Sequence, residues 1–275
     1  MPRRRLLCLL LALSCSGCAT STRASWAEYC KAVAVTRIPA AKNLSHGLVA
    51  ISRSTPRLRW NDQGQVLMAT LAESDCKDHG PFCRDQIGKP VTLTGEVWLS
   101  AAPFLQDFCR SLPKSRTADL KLRLLQRLGI APEGVPADAI VQLWINPQDF
   151  FRPCADPEVT DGECTLPPHA GNGSDCPWAS SAWMCHNWEN SYPSACGPGV
   201  NPIPFPWTGL GYTWDWSPDN PTHRGESEFV APPGKTVTIE SVTGIAEYCG
   251  TVNCGPASAH DTAPPAPAPS PSDHP

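Results

Sequence analysis

Charge is scarce in this chain: Asp, Glu, Lys and Arg make up 17% of its 275 residues, against about 25% in an average globular protein. With 22 basic and 26 acidic residues the formal net charge is −4, so the chain lacks the basic excess with which a nucleic-acid binder collects phosphates. No apolar run reaches the roughly 18 residues that read as a membrane-spanning helix. Coiled-coil heptads, a collagen-like glycine period and internal repeats of 20–50 residues are missing as well. So are the strong catalytic signatures: there is no Gly-x-Ser-x-Gly elbow, no His-Glu-x-x-His zinc helix, no phosphate-cradling loop ending in Gly-Lys-Ser/Thr, and no dinucleotide glycine fingerprint. The enzyme classes that announce themselves in sequence are thereby excluded.

Proline (31), cysteine (14) and tryptophan (10) are abundant instead, and 41% hydrophobic residues suffice for a core. The chain opens with Arg3, Arg4 and Arg5, an apolar run over residues 6–13, and Ser14-Cys15-Ser16-Gly17-Cys18. A basic start, an apolar stretch too short to span a bilayer and small residues before a Cys form the layout of an export signal. This stretch resembles a bacterial lipoprotein signal, which implies removal of residues 1–17 and lipidation of Cys18 as the first mature residue. The +2 residue, Ala19, implies retention at the outer membrane, facing the periplasm or the cell surface. Cys15 stands where such signals usually carry an aliphatic residue, which leaves cleavage after Ala19 and secretion as the alternative.

In an exported chain the eleven cysteines after Cys18 read as a disulfide framework. Short spacings make Cys76/Cys83, Cys154/Cys164 and Cys249/Cys254 the expected local pairs. Residues 18–39 read as a tether, 40–255 as an α+β domain with a sub-boundary near 152, and 256–275, rich in Pro and Ala, as a disordered tail. Alternation predicts a strand over 91–99. Helices are predicted over 103–112, with Ser100 as N-cap, and over 118–128, ended by Gly129; a second strand covers 140–145. Lys121, Arg123 and Arg127 read as the solvated face of the second helix. Helices on strands thus make up the N-terminal half of a disulfide-stapled fold. Beyond Cys154 comes a Trp- and Pro-rich, mainly β half, with one helix over 179–190 and strands over 211–216, 228–230 and 235–243.

Candidate chemistry is sparse. Cys76-x2-His79-x3-Cys83 has zinc-ligand types, but in an oxidising compartment a disulfide is the simpler reading. Cys185-His186 pairs a thiol with a base, yet helical neighbours point about 100° apart. Asp156, Glu158, Asp161 and Glu163 lack the spacing of a calcium loop and read as a solvated turn. No metal site is assigned. On the strand over 211–216, Tyr212, Trp214 and Trp216 share one face and Thr213 and Asp215 the other. With Trp207 these aromatics form an expected ligand-binding surface.

Glu226-x-Glu228, leading into Phe229-Val230-Ala231-Pro232-Pro233-Gly234, resembles the acidic motif of ADP-ribosyltransferases. The resemblance implies that Glu228 stabilises an oxocarbenium-like transition state as NAD loses nicotinamide, with Glu226 beside it and aromatic residues around the ring. The family's Ser-Thr-Ser strand is absent, and Arg152 is the candidate for its early Arg. Two functions follow as expectations. The first is an exported, lipid-anchored envelope protein that binds a partner: another envelope protein, a cell-wall glycan or a toxin that it neutralises. The alternative is an NAD-consuming transferase or glycohydrolase centred on Glu228.

Overall fold

A computed structural model describes residues 16–74, 82–113, 119–133, 136–167 and 181–250, with side chains from residue 25 onward. Residues 1–15 of the signal over 1–17, together with Cys76, His79, Cys254 and the tail over 256–275, lie outside the described residues.

Two apolar segments form the centre. β1 (Val66–Ala72) and β4 (Ala139–Ile145) pair antiparallel from Val66 opposite Ile145 to Ala72 opposite Ala139. β8 (Thr236–Gly244) lies beside β4, and β2 (Pro90–Thr92) edges β8. On the other side come β3 (Val97–Ala101) and then β7 (Phe229–Ala231), which gives the order β2-β8-β4-β1-β3-β7.

Alternate residues divide between the two faces. Val66, Met68, Val141, Leu143 and Ile239 pack with Phe150 and Phe229 on one. Leu67, Ala69 and Ile140 pack on the other beneath α2 (Ala102–Ser111), α3 (Leu120–Arg127) and α5 (Ile245–Tyr248). The fold is α+β, with disulfide staples Cys30–Cys196, Cys109–Cys249 and Cys154–Cys164; Cys83 and Cys185 are disulfide-bonded too.

Several expectations change. Residues 91–99 form two strands, because the chain bends at Thr94-Gly95: β2 joins β8, and β3 joins β1 and β7. Ser100 stays in β3, and α2 starts without a side-chain cap. Cys249 pairs with Cys109 and not with Cys254, since Tyr248 and Cys249 pack onto α2, where the Tyr248 hydroxyl donates to the Ala102 carbonyl at 2.8 Å. The sheet takes strands from both sides of position 152, with β7 and β8 beside β1–β4.

Much of the segment read as a tether is helical. α1 (Ser16–Thr36) carries Trp26, Tyr29, Ala32 and Val33 on one buried stripe against Tyr192, Tyr212 and Trp216. Tyr29 meets Trp26 and Trp216 edge-on, with ring centroids 5.6 and 5.7 Å apart. The segment from Trp26 onward is therefore part of the core.

A short ribbon, β5 (Tyr212–Trp214) with β6 (Arg224–Ser227), crosses the end of α3. The approach is close at Gly225, where a Cβ would overlap the Thr213 hydroxyl and the carbonyl oxygens of Arg127 and Thr213. Two of these are backbone atoms and cannot swing aside. Gly225→Ala is expected to cost about 1–3 kcal/mol or more, read by denaturant unfolding; unchanged stability would mean that β6 is not held against β5.

Candidate functional site

The layers do not close everywhere. Gly129, at φ +68°, ends α3, and a Cβ there would come within 3.3 Å of the Trp214 carbonyl oxygen. Between this break, β1, β3, α2, the loop over 201–207 and α4 (Ala182–Ser191) lies a cavity of about 620 Å³ with mainly apolar walls. Leu99, Leu105 and Leu128 line its floor side, and Trp98, Trp207 and Trp214 add aromatic surface. Phe205 lines it as well and is 43% exposed, which puts an apolar side chain where the cavity meets solvent.

Glu228 reaches this cavity because the strand is interrupted at its position: β6 ends at Ser227 and β7 begins at Phe229, while the Glu228 amide donates to the Gly211 carbonyl at 3.0 Å. Its Oε2 is enclosed without a hydrogen-bond partner. Burial, with no compensating hydrogen bond or charge, pushes the carboxyl up to about 8.

Glu226 has a different fate. It accepts from Arg127 Nε at 2.7 Å and is buried outside the cavity lining. Asp215 is spent in the same way. Arg123 donates to both of its oxygens at 3.0 and 2.6 Å, and Asn220 Nδ2 and the Ser217 amide add bonds at 2.9 and 3.0 Å. Both guanidiniums also lie over the Phe108 ring, 4.7 and 4.5 Å from its centroid. Arg123 and Arg127 thus form an ion-paired interface, contrary to the solvated face expected for them, whereas Lys121 is exposed as expected.

The aromatic row is covered. Trp207, Tyr212, Trp214 and Trp216 are between 1% and 7% exposed: α1 packs against the last three, where the alternation suggested an open face, and Trp207 packs with Met184 and Trp183 of α4. Tyr212 donates its hydroxyl to the Asn43 carbonyl at 2.8 Å, and Trp216 its indole N–H to the Ile130 carbonyl at 2.9 Å. These two belong to the core. Trp207 and Trp214 reach the cavity, and Trp214 also stacks on His223 at 5.0 Å.

The remaining candidates fall elsewhere. Arg152 is fully buried, donates to the carbonyls of Val49, Glu158 and Asp161, and lies over the Phe229 ring. It anchors the Cys154–Cys164 loop and does not line the cavity: a Cβ on Gly211 would sit 2.7 Å from its Cδ and 2.6 Å from Cys164 Sγ. Cys185, being disulfide-bonded, offers no thiolate. In the acidic turn, Glu158 accepts from the Thr160 hydroxyl and Asp161 from the Glu163 amide. Among the described residues no group of three or more His, Cys, Asp or Glu is placed to share a metal ion.

Asn187 and Trp98 are cavity residues that no sequence pattern marks, since the walls come from segments scattered between Ala69 and Glu228. No family model, curated protein or solved structure matches the chain.

The carboxyl of Glu228 generates a stability test. Its pKa is near 4.5 unfolded and about 8 folded, so the folded state holds the extra proton in between. Its contribution is complete below pH 4.5 and is lost as pH rises to about 8, amounting to a few kcal/mol at most. Glu228→Gln has no proton to lose. Wild type is expected to fall behind the variant in Tm across that window and to keep a constant gap above it; parallel curves throughout would mean that Glu228 ionises as freely folded as unfolded.

Proposed function

We propose that this is an exported protein of the bacterial cell envelope, lipid-anchored through Cys18 at the outer membrane, that binds a small apolar ligand in the cavity beside Glu228. The observation that carries the reading is the cavity itself: about 620 Å³ of mainly apolar wall holding one uncompensated carboxyl. Ligand sites span about 300–1,000 Å³ and combine apolar walls with a few placed polar groups. The disulfide framework supports an oxidising compartment. With Cys18 lipidated, eight residues of α1 would separate the lipid from buried Trp26. At about 1.5 Å per residue that is roughly 12 Å, a leash short enough to hold the fold against a source of apolar molecules.

Binding is favoured over NAD cleavage by charge. Among the described residues lining the cavity there is no Lys, Arg or His to meet a pyrophosphate. Glu226 is taken by Arg127, and Glu228 holds its proton near neutral pH, whereas stabilising an oxocarbenium ion calls for an ionised carboxylate. Capture of a protein partner through an exposed Trp surface has less support, since the four aromatics expected to form it are buried.

The cavity reading predicts saturable, one-to-one binding of a neutral apolar dye such as N-phenylnaphthylamine to the oxidised protein, with energy transfer from Trp98, Trp207 and Trp214. Thr70→Trp, which fills the cavity from β1, should weaken the dye at least about tenfold while keeping the wild-type melting transition. Equal binding to both proteins would place the dye elsewhere and end this reading. For the anchor, Cys18→Ser should move the exported protein from the detergent phase to the aqueous phase in a phase-partition assay; wild type found in the aqueous phase would favour secretion.

A further inference from the structure

Three side chains of the cavity each contain a polar atom that is sealed from solvent and without a hydrogen-bond partner: Glu228 Oε2, Asn187 Nδ2 and Trp207 Nε1. Buried polar groups are almost always paired, so three orphans around one space call for an explanation. We infer that the ligand is an uncharged apolar molecule bearing a carbonyl-type acceptor, an ester, lactone, amide or ketone, whose oxygen accepts from one or two of these groups. This inference rests on the cavity being the binding site.

Donors dominate this set of unpaired groups. The indole N–H of Trp207 can only donate, and so can the amide nitrogen of Asn187. Glu228, protonated at neutral pH, adds an O–H. Glu228 and Asn187 are half-buried as whole residues, and both line the cavity. A turn of the carboxyl or amide about its last bond brings the sealed atom to a ligand.

A primary ammonium would satisfy Glu228 alone and set its charge among N–H dipoles of the same polarity. An anion would find no cation among the described lining residues and would meet Glu228 as a like charge whenever that group ionises. A neutral acceptor brings neither penalty. Beyond the cavity, the titratable group set against Glu228 is Tyr192, whose phenol burial pushes up, with Arg37 stacked over its ring. Glu226, two residues away, is held by Arg127.

The test is displacement of the dye from the full oxidised chain by four probes of one chain length, each below its aggregation concentration: decane, decyl acetate, decylammonium and decyl sulfate. At pH 7 decyl acetate is expected to bind at least about tenfold more tightly than the other three, one good hydrogen bond being worth about that factor. Its affinity should be level well below pH 8 and fall by about tenfold in all as Glu228 ionises around pH 8. Glu228→Gln, which still donates, should keep the affinity and lose the pH dependence, while Glu228→Leu, which removes one of the three donors, should bind the ester about tenfold more weakly than wild type. If decylammonium is tightest, or decane equals the ester, the inference is overturned and the cavity remains a binding site. If neither the dye nor any probe binds, the proposed function itself fails.

Discussion

Two arginines one helical turn apart hold the two halves of this molecule together. Arg123 and Arg127 leave the same face of α3 and meet Asp215 and Glu226, acids from the far end of the chain. Taking such charges out of water is repaid only by good geometry, and here the geometry is extensive: two bonds from Arg123 to Asp215, supporting bonds from Asn220 and Ser217, and the Phe108 ring beneath both guanidiniums. Pairs of this kind contribute more to specificity than to net stability, because shifting the ribbon along α3 would strand a buried charge. The ribbon of β5 and β6 is thereby fixed on the helix layer. With it is fixed the point where Gly129 breaks α3 and the layers part.

Asp215, Glu226 and Glu228, within fourteen positions, end up in two kinds of surroundings as a result. Asp215 and Glu226 are buried with cations, and Glu228 is half-buried with one carboxyl oxygen sealed and no hydrogen-bond partner for it. Because β6 and β7 are separated at Glu228, the strict two-residue alternation of a strand does not carry its side chain to the partners of Glu226. Environment and not residue type therefore decides which acid holds the fold and which is left for chemistry.

How far the sequence reveals this depends on what carries the signal. β4, α3 and β8 are legible because a period of 2 or 3.6 is written in contiguous residues, and the Cys154–Cys164 bond because its loop is short. β1 is not: covered on both faces, it is an unbroken apolar run without alternation. In α1 the buried stripe of Trp26, Tyr29, Ala32 and Val33 lies among small polar residues that resemble a linker. The α+β class was readable. That Trp216 and Tyr212 are core, and that Asn187 faces the same cavity as Leu99, depends on contacts between residues about ninety or more positions apart in the chain.

A cavity with an uncompensated carboxyl works against folding, and the rest of the molecule shows what offsets it. The Cys30–Cys196 and Cys109–Cys249 bonds bridge separations of 166 and 140 residues, where cross-links restrict the unfolded chain most. One ties α1 to the segment after α4, and the other ties α2 to the end of α5, so elements around the cavity are held from two sides. If stability were the sole requirement, a leucine at 228 would fill part of the space and remove the burial penalty, and no orphaned donor would face it. The chain instead carries an acid that is neutral near pH 7 beside two unpaired N–H groups, a combination that is costly in the empty protein and satisfied by an acceptor from outside.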